Sequence, residues 1–226
     1  MLDVLFEDAH CLAVNKPAGL LIQGRIGGEE TLESVVRNYL SADNPTSNYL
    51  GIVHRLDRPV SGVVLWAKNP RAARRLAAQF ASRETIKEYR AAVSPVPSIT
   101  AGSWDDWLSE EATGQHRVQV CPAGKPRARR AVTRFRQDGF CPNSPGIALL
   151  TLWPETGRTH QLRVQCGARG WPILGDSLYG STNEFPAGIA LHAAELRVRH
   201  PITNALLTVA AELQKSWSEA GLLSHL

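Results

Sequence analysis

The chain has 226 residues, 43% hydrophobic and 20% charged, the balance of a soluble globular protein with room for a substantial core. Its net charge is +4 and its pI near 9.0, a mild basic excess that suits a polyanionic partner without demanding one. Cys11, Cys121, Cys141 and Cys166 form no Cys-x-x-Cys pair, no histidines have ligand spacing, and no apolar run approaches the length of a membrane span, so a structural zinc site and a membrane protein are both excluded as expectations. The N-terminus lacks a basic and then apolar leader, and the scattered thiols fit a reducing compartment; a cytoplasmic protein is expected.

Val4-Leu5-Phe6 and Leu12-Ala13-Val14 flank a polar turn and predict a β-hairpin. Asn15 to Gly19 breaks regular structure, with Lys16 read as a solvated loop residue. Leu32, Val35, Val36, Tyr39 and Leu40 form one stripe, predicting a helix over 31–40 with Thr31 as its cap and Tyr39 in the core; Ser41 to Asn48 is a polar loop. Ile52-Val53 ends one strand and Val63 to Trp66 makes a buried one, while Pro59 and Gly62 predict a loop over Asp57 to Ser61. Asp57 therefore sits at a strand end, and Arg55 shares its parity, so in extended backbone both side chains face one way. A guanidinium beside a carboxylate favours its charged form, which suits a nucleophile or base; the same spacing also reads as an ion pair beside a turn.

Asn69-Pro70 opens a second helix, with Ala73, Leu76, Ala77 and Phe80 toward the core and Arg71, Arg74 and Arg75 on its surface. Ile86 to Val93 is a strand whose Lys87, Tyr89, Ala91 and Val93 share a face, which reads as a core tyrosine. Trp104 to Leu108, Val118 to Val120, Ala131 to Phe135 and Ile147 to Trp153 are further strands, and their succession argues for a largely antiparallel sheet. Lys125, Arg127, Arg129, Arg130, Arg134 and Arg136 follow one another with no acid between them, either a grip on a phosphate backbone or a solvated face. Gly139 to Gly146 is an exposed loop. Pro154 to Val164 leads into a short helix ending near Gly167 or Gly170, and a loop entering a helix N-terminus suits an anion. Leu191 to Arg199-His200-Pro201 supplies closing strands. With no internal repeat and no linker, one domain spans 1–226, its core about 1–217 and residues 218–226 a peripheral tail.

Three of these stretches carry a resemblance. His54-Arg55-Leu56-Asp57, followed by Ser61-Gly62 and an apolar strand ending in Ala67-Lys68, resembles the signature of the RluA-type RNA pseudouridine synthases, with Val60 where that family has Thr. Lys87-Glu88-Tyr89 resembles the family's second signature. Gly157-Arg158-Thr159-His160-Gln161-Leu162-Arg163, continued by Gly175-Asp176 and Leu178-Tyr179-Gly180, resembles its third. Val14 to Gly19 also resembles the opening of the catalytic domain, a setting in which Lys16 would meet RNA.

The resemblance implies the α+β pseudouridine synthase fold, a mixed, mainly antiparallel sheet with flanking helices around a basic cleft, here without the family's optional S4 RNA-binding domain. It implies Asp57 as the catalytic carboxylate, Tyr89 stacked on the target uracil, and Arg163 paired with Asp57. Arg55, His54, Arg158, His160, Lys125, Arg127, Arg129 and Arg130 become the expected substrate contacts. His160 as general base is set aside, because the family pattern gives that work to the Asp and the Tyr. The expected protein is a monomer acting on ribosomal or transfer RNA, with no cofactor, metal or membrane partner. Two alternatives are a catalytically silent RNA-binding relative and an Asp57-dependent hydrolase; the latter needs a second carboxylate that these motifs do not supply.

Overall fold

The computed structural model describes residues 2–24, 28–43, 49–110, 117–141 and 144–223. In chain order come β1 (Val4–Glu7), β2 (Cys11–Lys16), α1 (Leu32–Asp43), β3 (Gly51–Ile52), β4 (Ser61–Ala67), α2 (Pro70–Ser82) and β5 (Ile86–Val93). There follow β6 (Ala101–Glu110), β7 (Val118–Cys121), β8 (Arg129–Cys141), β9 (Ser144–Pro154), α3 (Gln161–Ala168), a 3-10 turn (Ser177–Tyr179), β10 (Leu191–Arg199), β11 (Leu206–Ala210) and α4 (Lys215–Glu219). These elements fall into two compact units, Met1–Ile86 with Ala193–Leu213 and Lys87–His192 with Gln214–Leu226. Strand pairing within each is predominantly antiparallel, as expected for the α+β class. Among the described residues no helix is long and apolar enough to cross a membrane.

In the first unit β1, β2 and β4 lie side by side, with β3 also on β4 and β11 on β10. The predicted hairpin is present, Val4 opposite Val14, and β4 is buried along its whole length, as its unbroken apolar run requires. Thr31 caps α1 reciprocally with Ser34: Ser34 N donates to Thr31 Oγ1 at 3.2 Å and Thr31 N to Ser34 Oγ at 3.1 Å. Asn69 caps α2 by accepting from Ala72 N at 2.9 Å, with Pro70 in the first turn. The buried stripe of α2 is Ala72 and Leu76, and Ala77 is exposed. Ala77 lies a helical step of about 100° beyond Leu76, enough to carry it off the core. Residues 44–48 of the expected polar loop lie outside the described residues.

Two features fix the segment between β3 and β4. Gly62 has φ +114°, and a Cβ there would sit 2.2 Å from Ala193 O and 2.6 Å from Ala193 N, so only glycine admits this approach of backbone to backbone. Lys16, opposite Gly62, has no exposed surface at all, contrary to its expected place in solvent or on RNA. Its ammonium donates to Pro17 O (2.8 Å), Leu20 O (2.7 Å) and Arg58 O (3.1 Å). β2 runs on to Lys16, and the following turn folds back over the side chain. Gly19 N also donates to Arg58 O at 2.8 Å and Arg58 Nε to Gly19 O at 3.0 Å, so two loops are tied together around one buried cation. Burial pushes the Lys16 ammonium down to about 8, against the upward pull of the Asp57 charge.

In the second unit the sheet order is β5-β9-β8-β6-β7. Pairing of β8 with β9 continues to Cys141 opposite Ser144, with a register shift after Gln137, so strand replaces most of the loop expected over 139–146; residues 142–143 lie outside the described residues. One sheet face, with Ala131, Thr133, Phe135, Leu150 and Leu152, is buried, and Val164 and Gln165 of α3 pack on it. Gln161 joins the helix to the sheet. Its amide donates to Val132 O (3.0 Å) and Thr133 Oγ1 (2.9 Å), and its oxygen accepts from Thr156 Oγ1 (2.7 Å) and Arg158 N (3.0 Å). The tail is less peripheral than expected: Leu222 is buried and Cys141 Sγ donates to Gly221 O at 2.9 Å.

Replacing Lys16 by Met takes the ammonium from the Pro17 and Leu20 carbonyls and leaves Arg58 O with Gly19 N alone, and the expected loss is about 3 kcal/mol in urea unfolding. Because the folded pKa lies near 8 and the ordinary value is 10.5, the unfolded chain holds that proton more tightly between the two. Native stability relative to Lys16→Met should therefore grow as pH rises through this window; a gap that narrows would contradict the assignment. Gln161→Glu keeps the shape but removes the N–H groups that reach Val132 O and Thr133 Oγ1, with an expected cost of about 2 kcal/mol in a thermal melt. An unchanged melting temperature would remove its role as a hub.

Candidate active site

Asp57 stands on irregular backbone between β3 and β4, half-buried, with its carbonyl accepting from Val60 N at 3.1 Å. The Asp57 charge is felt at the buried Lys16 ammonium, which it pulls upward against the effect of burial. Arg55 is exposed and makes no ion pair among the described residues, so the expected Arg55–Asp57 couple is absent. Shared parity puts two side chains on one face only in extended backbone, and residues 53–60 are not strand. His54 is built into the fold: its Nε2 accepts from Leu65 N at 2.9 Å and its ring stacks on Phe80, centroids 4.8 Å apart. That bond requires an unprotonated Nε2.

In the second unit Tyr89 lies on β5 opposite Leu152, half-buried, on the sheet face that α3 covers. Lys87 shares that face and donates to Thr156 O at 3.3 Å. Arg163 is almost wholly buried on α3. Its Nε meets Asp176 Oδ2 at 2.7 Å and its Nη2 meets Asp176 Oδ1 at 2.9 Å, a two-pronged pair in which the side chains are only 7% and 1% exposed. The guanidinium also lies over the Tyr179 ring, 5.2 Å from its centroid. Tyr179 Oη accepts from Val118 N at 3.2 Å and is hydrogen-bonded to His160 Nδ1 at 2.8 Å. His160 itself has φ +53° at the entry to α3. Arg158 donates from Nε to Arg130 O at 3.0 Å, which holds its stem against β8.

The basic run divides by strand parity. Arg130 makes a fork to Asp105 (2.8 and 2.6 Å), Arg134 meets Glu155 (3.3 Å), and Arg136 meets Asp138 (2.8 Å) while lying over Trp153 at 5.6 Å. These three share the open sheet face. Lys125, Arg127 and Arg129 lie on the β7–β8 turn and the first residue of β8, are exposed, and have no ion partner among the described residues. Sequence reasoning noted Gly175-Asp176 and Leu178-Tyr179 without giving them a role, although an acid and an aromatic close behind a motif arginine were the available signal.

Among the described residues one cluster has metal-ligand types, Asp8, Cys11 and His200, their atoms within 4.8 Å of one another. Asp8 Oδ1 accepts from His10 N (2.8 Å) and Cys11 N (2.7 Å), and Oδ2 lies 2.8 Å from His200 Nε2. His200 Nδ1 accepts from Thr203 N at 3.1 Å, so Nε2 carries the proton that Asp8 receives. A ligating histidine instead donates its second nitrogen to an acceptor, and burial pushes the Cys11 thiol up to about 12, so the cluster reads as a bolt between the N-terminal turn and the β10–β11 turn.

Residues 10–168 match the RNA pseudouridylate synthase family. Ribosomal large subunit pseudouridine synthase D of Zymomonas mobilis is 34% identical over 225 residues, which cover 94% of this chain and 69% of that protein. Dual-specificity RNA pseudouridine synthase RluA of Escherichia coli O6:H1 is 37% identical over 212 residues, 92% of this chain and 91% of the relative. The structure of human RNA pseudouridylate synthase domain containing 4 superposes with a TM-score of 0.78 at 24% identity, covering 96% of this chain and 92% of that one, a likeness of fold. With three motifs in order and a relative alike over nearly its full length, this chain belongs to the RluA-type RNA pseudouridine synthases, isomerases that turn uridine in RNA into pseudouridine.

Proposed function

We propose that the chain acts on uridines of structured ribosomal or transfer RNA, with Asp57 as the group that works on the sugar. The N1–C1′ bond breaks, the uracil turns while held, and C5 joins C1′; C5 gives up a proton and N1 gains one, so the reaction balances without an added reactant. Asp57 serves either as nucleophile at C1′ or as base at C2′, and both roles need it ionised. By the family resemblance Arg163 is the arginine that serves this carboxylate, Tyr89 offers an aromatic face to a base out of its stack, and exposed Arg55 enters the space the base vacates. The observation that supports this reading best is the Asp57 segment itself. A half-buried carboxylate stands on irregular backbone that Lys16, Gly19 and His54 tie down at neighbouring positions, an accessible group held without regular structure.

Phosphate binding in this reading belongs to Lys125, Arg127 and Arg129. Arg130, Arg134 and Arg136 already face carboxylates on the open side of the sheet, so each adds little net positive field there.

Asp57→Asn should lower release of uracil C5 tritium from RNA by more than about a thousandfold while leaving RNA affinity within a few-fold. Wild-type turnover in that variant removes the role given to Asp57, and free uracil among the products would favour a hydrolase. Changing Lys125, Arg127 and Arg129 together to Ala should weaken RNA binding and flatten its salt dependence by about 0.7 in log–log slope for each phosphate no longer neutralised. The Arg134→Ala and Arg136→Ala pair should leave that slope in place; equal flattening in both sets would overturn the division.

A further inference from the structure

We infer that Asp176 is a positioning residue for the reaction, acting through Arg163, with the Tyr179 ring as its backing. The inference rests on the catalytic reading of Arg163. An arginine carries five N–H donors in one rigid plane, so holding one edge of the plane fixes where the rest of it points. Asp176 grips the Nε and Nη2 edge with both of its oxygens, at 2.7 and 2.9 Å. The guanidinium carbon also lies over the Tyr179 ring, 5.2 Å from its centroid, so the charge has an aromatic neighbour as well as a carboxylate. The ring is itself held from two sides: its hydroxyl accepts from Val118 N at 3.2 Å and shares a hydrogen bond with His160 Nδ1 at 2.8 Å. Carboxylate and ring belong to one short stretch, Asp176 being the N-cap of the 3-10 turn that contains Tyr179.

The structural alternative is a buried ion pair that holds α3 to that turn. Removing both charges from water is costly, and apolar side chains of like volume usually bind two elements as well or better. What an apolar contact does not supply is direction. The pair is built for direction: two parallel bonds, an aromatic ring against the guanidinium, and side chains 7% and 1% exposed, where water cannot reorient them. Asp176 is too deeply buried to meet RNA, so its influence on the reaction passes through Arg163.

The test measures single-turnover pseudouridine formation and RNA affinity for Asp176→Asn, Arg163→Lys and the double variant, at a temperature well below each melting point. Asp176→Asn should lower the rate of the chemical step at least tenfold and leave KM for RNA within about twofold. In the Arg163→Lys background the same change should cost less than twofold, because the two act as one unit. A folded Asp176→Asn with the wild-type rate, or a full additional loss in the double variant, overturns the inference. Should Asp176→Asn fail to fold, Asp176→Glu carries the test: the charge stays, the reach changes, and a loss in rate without a change in KM is expected, whereas an unchanged rate overturns it. Wild-type rate in Arg163→Lys refutes the catalytic reading of Arg163; an impaired Arg163→Lys beside an unimpaired Asp176→Asn refutes the positioning role alone.

Discussion

A cation taken out of water has to be answered by acceptors in the right places, and among the described residues each unit of this protein holds one. The two are answered differently. Lys16 has three donors and meets three main-chain carbonyls, so its partners are loops, and what it organises is backbone. Arg163 has a planar fork and meets one carboxylate with two prongs, so what it organises is its own orientation. A lysine in place of Arg163 would keep the charge and lose the plane. An arginine in place of Lys16 would bring a flat fork of donors to the Pro17, Leu20 and Arg58 carbonyls, which converge on a single nitrogen.

The same logic separates the arginines of β8. A strand sends alternate side chains to opposite faces, and Arg130, Arg134 and Arg136 are all of one parity. That face is open, and on it stand Asp105 of β6 and Asp138, with Glu155 just past β9. A run that is uniformly basic along the chain is close to neutral across the sheet. Positive charge survives at the turn that opens β8, where Lys125 and Arg127 face no carboxylate among the described residues. Charge counted along a sequence is thus a poor guide to field; the strand partners decide it.

Local signals carried the sequence reading furthest. The first hairpin, the caps at Thr31 and Asn69, strand β5 and the short helix after the third motif all follow from nearest-neighbour chemistry, and all are present. The misses needed partners far along the chain. Lys16 looked solvated because nothing near it in sequence announces the carbonyl of Arg58. The Arg55–Asp57 couple assumed extended backbone in a segment that is irregular. Gly139 to Gly146 has the composition of a loop, yet most of it pairs, since a register shift after Gln137 absorbs the awkward residues. Leu222 seemed to be in a tail because its burial depends on β8, through the bond from Cys141 to Gly221. Asp57, Tyr89 and Arg163 were named through a family resemblance; spacing by itself left Asp57 as an ion pair beside a turn and Tyr89 as a core residue, and gave Arg163 no role.

The third motif shows why such a block can be recognised more easily than it can be interpreted. Within Thr156 to Arg163, side chains with similar polar chemistry have separate tasks. Thr156 and Gln161 bond to one another and to β8, fixing the height of the loop above the sheet. His160 takes a left-handed backbone turn and fastens its ring to Tyr179, which sets the entry to α3. Arg158 spends its Nε on a β8 carbonyl. Arg163, two residues into the helix from Gln161, emerges from this frame already aimed, and Asp176 closes on it from outside the block. The polar residues before it are needed because a helix of eight residues is too short to hold its own N-terminus in place. A signature of this kind is mostly scaffold for one guanidinium, and its length reflects the number of bonds required to give a single group a direction.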